Sequence, residues 1–177
     1  RVANATPAYG LRLAPSELAR WTAGTAEVAT DLSDPQRMSP RTRRHVAAGR
    51  LVQRLGYPKQ GGRRRWQQAA ERFFESYDVL VTPVLAAGAV RAAEWSGRGW
   101  LRNVLTSAAF APFTGPWNLA GWPAMAVPAG LDRRGMPLSV QLVAAPGGEV
   151  RLLGIAAQLE RLCPWPRIAV HTPRGMR

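Results

Sequence analysis

The stretch Gly115-Pro116-Trp117-Asn118-Leu119-Ala120-Gly121-Trp122-Pro123-Ala124-Met125-Ala126-Val127-Pro128-Ala129-Gly130 decides the reading of this chain. It runs on to Gly135-Met136-Pro137-Leu138-Ser139-Val140-Gln141-Leu142-Val143 and then to Pro146-Gly147-Gly148-Glu149. The Gly and Pro punctuation predicts a turn-rich loop ahead of Ala124. Ala124 to Val127 predicts a short buried strand, and Leu131 to Gly135 a tight connection. Leu138, Val140 and Leu142 alternate with Ser139, Gln141 and Val143, which predicts a strand paired to the previous one. Glu149 then opens a helix, with Leu152, Leu153, Ala156 and Leu159 along one side and an acid suited to the helix dipole. Within the loop, packing and turn geometry already account for each residue. Asn118 can bond local backbone, Gly121 can take a positive φ, and Trp117 and Trp122 can enter the core. Gln141, on a strand, reads as a buried amide paired with backbone.

Working outward, Asp78-Val79-Leu80-Val81-Thr82-Pro83 predicts another short buried strand, stopped by proline. Ahead of it, Trp66, Ala69, Ala70, Phe73, Phe74 and Tyr77 share one broad helical face. Ser39-Pro40 predicts a helix start, with serine at the N-cap and proline at N1. Ala48, Leu51, Val52 and Leu55 follow at helical spacing, Gly56 ends that helix, and Lys59-Gln60-Gly61-Gly62 reads as a break. Trp100, Leu101, Val104, Leu105 and Ala108 predict a short helix after the small-residue loop 86–99. The first 38 residues are the least legible: a helix near Pro15 capped by Ser16 or a neighbour, then a loop from Asp31 to Pro40. The tail after Pro164-Trp165-Pro166 reads as irregular. No repeat or linker divides the chain, so residues 1–177 are expected to form a single domain portion.

Residues 39 to 168 carry a resemblance to the amidase signature family of hydrolases. The motifs are Tyr77-Asp78-Val79-Leu80-x-Thr82-Pro83, Asn118-Leu119-Ala120-Gly121-x-Pro123-Ala124, Val127-Pro128-Ala129-Gly130 and Leu138-x-Val140-Gln141-Leu142-Val143. Each is modest by itself, and their order and spacing make the resemblance specific. It implies an α/β fold, a mixed sheet flanked by helices on both faces, of which this chain is the C-terminal portion. It also implies hydrolysis of a carboxylic amide through an acyl-enzyme, by a Ser–cis-Ser–Lys triad with backbone N–H groups holding the oxyanion.

The triad is not expected here. The chain has no Gly/Ser-rich loop, its seven serines (16, 33, 39, 76, 96, 107 and 139) are scattered, and its one lysine is Lys59. A lysine base must lie within hydrogen-bond reach of its serine. No catalytic residue is therefore assigned, and the catalytic N-terminal half of the same protein is the expected partner. The resemblance places Trp117, Asn118, Leu119 and Gly121 near the active site, as a wall of the substrate pocket. Ala109-Phe110-Ala111-Pro112-Phe113 lacks the acid with which the family's glutamine-dependent branch binds its substrate. A neutral amide or ester is expected instead.

The remaining composition narrows the class. Apolar residues make up 46%, which indicates a globular chain. No run approaches the roughly 20 apolar residues of a membrane helix. The single cysteine, Cys163, excludes a disulfide framework and suggests a reducing, cytoplasmic compartment. Two isolated histidines, His45 and His171, make no metal site, and no cofactor is expected. The net charge of +13 is carried by arginine, with nine basic residues and no acid between Arg41 and Arg65. Such a patch can attract nucleic acid or membrane, or face a missing acidic segment. Nucleic-acid recognition motifs are absent. The start at Arg1 suggests a processed or truncated product. An inactive partner-binding module and, less favoured, a basic nucleic-acid-binding domain remain as alternatives, and exposed sheet edges predict poor solubility or homo-oligomers.

Overall fold

The computed structural model describes residues 1–93, 95 and 97–165. Ser96, His171 and the tail from Pro166 lie outside the described residues. Helix α1 spans Leu13–Val28, a short 3-10 turn spans Pro35–Arg37, and α2 spans Pro40–Arg54. Then come α3 (Gln60–Phe74), β1 (Leu80–Pro83), α4 (Trp100–Phe110), α5 (Gly115–Ala120), β2 (Ala124–Leu131), β3 (Pro137–Val143) and α6 (Glu149–Leu162). The three strands form an antiparallel sheet in the order β1-β3-β2.

The sheet is covered on both faces, as the α/β expectation requires. Leu80 and Val143 belong to a core with Trp66 and Ala70 of α3 and Trp117, Leu119 and Ala120 of α5. Val127 and Leu142 pack on the opposite side against Leu152 of α6. Adjacent β3 residues Leu142 and Val143 thus point to different cores, as the two-residue period of a strand dictates. A third cluster joins Ala26 and Ala29 to Val46 at the α1–α2 contact. Gly49 makes that contact close: a Cβ there would fall on the Thr22 carbonyl.

Several expectations are corrected. The strands are less buried than their apolar sequences suggest, because β1 and β2 are both edges. Val81 is 59% exposed, and of β2 only Val127 is fully buried. The alternation in β3 fails in burial: its first residues are exposed on both faces, while Gln141, Leu142 and Val143 are all buried. Strand β2 extends to Leu131 through an irregularity after Pro128, which shortens the connection. There the Asp132 carboxylate accepts from the backbone N–H of Arg134 (2.8 Å) and Met136 (2.9 Å). These bonds hold its pKa below the usual carboxylate value.

Helix α1 begins earlier than expected, at Leu13, and Ser16 lies inside it rather than at its cap. Ser39 does cap α2, accepting from the Thr42 N–H at 3.2 Å, with Pro40 in the first turn. The α2 face differs from the expected one. His45, Val46 and Gly49 are buried, whereas Leu51 and Leu55 are 56% and 64% exposed. Gly61 and Gly62 begin α3 rather than breaking the chain, and Tyr77 lies beyond its end. On α6, Ile155 replaces Leu153 on the packed side.

Candidate functional site

The segment expected as a loop, Gly115–Ala120, is a short helix. Its punctuation brackets it. Pro116 supplies a pre-set φ in the first turn. Gly121 ends it at φ 74° and ψ 35°, a left-handed position that carries no Cβ penalty for glycine. The N–H groups of Gly121 and Trp122 both reach the Trp117 carbonyl, at 2.8 and 3.2 Å.

The two ends of α5 are held by helices distant in sequence. The Ala120 carbonyl accepts from Gln67 Nε2 at 2.8 Å and from Arg63 Nη2 at 3.1 Å. A guanidinium at a helix C-terminus also complements the dipole. At the other end the Glu17 carboxylate occupies the space beside Gly115 that a Cβ would take. Burial raises the Glu17 pKa above its ordinary value.

The four candidate residues divide by direction. Trp117 and Leu119 are 1% and 4% exposed and sit in the core. Trp117 packs against Trp66 at 5.0 Å and Trp122 at 6.2 Å between ring centroids. Its Nε1–H is buried without an acceptor among the described residues. Asn118 and Gly121 face outward. The Asn118 carboxamide makes no hydrogen bond among the described residues, so the local backbone pairing expected of it is not formed. Trp66 fixes the segment from below, donating its Nε1–H to the Pro116 carbonyl at 2.7 Å.

Gln141 stands beside this segment as the buried amide expected. Its Nε2 donates to the Phe113 carbonyl at 2.9 Å and to Thr82 Oγ1 at 3.1 Å. It thereby ties β3 to β1 and to the turn that leads into α5. Lys59 is exposed and lies 5.1 Å over the Tyr57 ring, with no hydrogen bond to a serine among the described residues. No group of His, Cys, Asp and Glu among the described residues could hold a metal ion. None of the described helices is long and apolar enough to cross a membrane.

Sequence reasoning missed His45. Set in an arginine-rich helix start and read only as no metal ligand, it is 8% exposed. Trp100 Nε1–H donates to its Nδ1 at 3.1 Å, and the Trp21 ring lies 4.5 Å away. Burial lowers its pKa from 6.5, so the imidazole is neutral at neutral pH. Its partners come from two other helices, and only the aromatic content of α1 and α4 could have hinted at them.

These features belong together in one class: α/β proteins whose sheet carries helices on both faces and an Asn-Leu-x-Gly-x-Pro-Ala segment at its entry. The chain matches the Amidase family over residues 22–153, and it belongs to that family. It is 34% identical over 168 residues to AmiA2 of Mycobacterium tuberculosis, an amidase by name, covering 93% of this chain and 34% of that protein. Among solved structures it resembles a crystal structure of an amidase, with a TM-score of 0.65 at 23% identity over 85% of this chain and 35% of that one. It also resembles 6-aminohexanoate cyclic dimer hydrolase in complex with its substrate, with a TM-score of 0.63 at 24% identity over 93% and 38% of the two chains. Both likenesses establish the fold. The chain spans about a third of the length of the curated relatives it matches.

Proposed function

We propose that this chain is the C-terminal portion of a cytoplasmic amidase that hydrolyses a carboxylic amide C–N bond. One observation carries the reading: the family match runs through residues 22–153, while Lys59, the one lysine of the chain, is exposed and bonds no serine among the described residues. The Ser–cis-Ser–Lys triad and its oxyanion loop then come from the N-terminal half of the same protein. There a neutral lysine draws a proton through the bridging serine, the second serine attacks the amide carbon, and backbone N–H groups hold the oxyanion.

In this reading α5 is the wall of the substrate pocket. Asn118 and Gly121 present the surface, with the free carboxamide of Asn118 as the polar group toward substrate. Trp117 and Leu119 support it from within the core. The substrate is a neutral amide or ester rather than glutamine, since no acid precedes α5 between Ala109 and Phe113. Glu17 does approach the start of α5, but its carboxyl is half-buried against Gly115.

A fluorophosphonate probe, which labels activated serine nucleophiles, tests the division of labour. The 177-residue chain is expected to stay unlabelled. The polypeptide extended by the sequence encoded directly upstream is expected to be labelled at a serine outside this chain. Labelling of one of the chain's own serines would overturn the reading.

A further inference from the structure

A cavity of about 470 Å³ lies between α1, α2, α4 and the loop that precedes α4. That volume falls within the roughly 300–1,000 Å³ of small-molecule sites, which pair aromatic walls with few polar groups. Trp21, Trp95, Trp100 and His45 line it, with Arg41 and Asn103 beside them. None of these residues belongs to the Trp117–Gly121 segment, and ligand binding here is separate from hydrolysis.

The polar groups define what the cavity can take. Trp100 donates to His45 Nδ1, so the imidazole proton resides on Nε2. That N–H is buried and has no acceptor among the described residues. A buried donor left unmatched costs free energy, so such groups call for a partner. Arg41 is already committed. Its Nη2 donates to the Trp95 carbonyl at 2.7 Å, and the Asn103 carboxamide oxygen, turned toward it, accepts from Nε and Nη2 at 3.1 Å. The guanidinium is thus held in place by neutral acceptors of the protein itself. Trp95 is fixed further by the Arg98 guanidinium, 3.7 Å over its ring. Trp21, 51% exposed, packs its ring 4.5 Å from that of His45 on the solvent side.

We propose that this cavity binds an uncharged aromatic carbonyl compound. Its ring lies against the indoles, and its carbonyl oxygen accepts the His45 Nε2–H once the Trp21 ring swings aside. The offset and edge-to-face contacts open to indole rings favour a flat ligand. The neutral imidazole donates without carrying charge.

Titration of the 177-residue chain with benzamide, followed by indole fluorescence and by the His45 imidazole NMR signals, tests this. Ethylbenzene supplies a ring without an acceptor, and benzoate a charged one. Benzamide is expected to saturate and to shift the Nε2–H signal, with ethylbenzene and benzoate about tenfold weaker or more. His45→Phe is expected to bring benzamide down to the ethylbenzene level, and His45→Gln, which keeps an N–H donor, to restore most of the difference. Absence of saturable benzamide binding, equal affinity for ethylbenzene, tighter binding of benzoate, or an unchanged benzamide affinity in His45→Phe would each overturn it. If His45→Phe does not fold, the three-ligand comparison on the native chain still decides.

Discussion

Two groups of tryptophans in this chain use the same side chain to opposite ends. Trp66, Trp117 and Trp122 lie between α3, α5 and the sheet, each 8% exposed or less. Their rings contact one another and Phe74 at centroid distances of 5.0 to 6.2 Å. Trp66 spends its N–H on the Pro116 carbonyl. Trp21, Trp95 and Trp100 instead surround a space, with a histidine at its wall and one ring half in solvent. The first group has a sheet behind it and helices before it, so apolar burial fills it. The second lies among helices and a loop, with no strand behind it. Dense packing therefore supports α5 and its outward Asn118, while the looser group leaves room for a ligand.

The same substitution in each group sharpens this contrast most. Trp66→Ala is expected to cost about 3–5 kcal/mol, through lost burial and the cavity left beneath α5. Trp21→Ala, on the half-exposed wall, is expected to cost about 1 kcal/mol or less. Urea denaturation of both variants measures the gap, and equal losses would erase the distinction between the groups.

A smaller effect comes from pH and belongs to the looser group. The folded pKa of His45 is depressed below 6.5, so the folded state binds fewer protons there than the unfolded chain. Its contribution to stability is full above 6.5 and is lost as pH falls through the folded value. Glu17 runs the other way. Its raised pKa favours the folded state at low pH, and that contribution is lost as pH rises above 4.5 through the folded value. Urea midpoints at pH 7.5 and 5.5 are expected to fall on acidification in the native chain, and to fall less in His45→Gln. An equal fall in both would remove His45 as the cause.

Much of the packed region was legible in the sequence. The Trp66–Phe74 periodicity marks the side of α3 that enters the core, and the two strand motifs give the β2–β3 pairing. Gly121 takes the positive φ expected of it, and Gln141 makes the expected backbone bond. The helical state of 115–120 was obscured because Pro and Gly signal turns and also bracket helices. The open edges of β1 and β2 were hidden because apolar strand residues look buried whether or not anything covers them. The looser region was scarcely legible. The buried face of α2 follows from contacts with α1 and α4, not from its own periodicity, and His45 stands among arginines.

In the proposed function this chain supplies the pocket wall of an amidase whose nucleophile lies elsewhere. Ammonia release from simple primary amides tests it most directly, comparing the 177-residue chain with the polypeptide extended by its upstream coding sequence. No release above the uncatalysed rate is expected from the chain alone, and steady turnover from the extended polypeptide. Turnover by the chain alone, or none from an extended polypeptide that carries a Gly/Ser-rich loop and a preceding lysine, would contradict it.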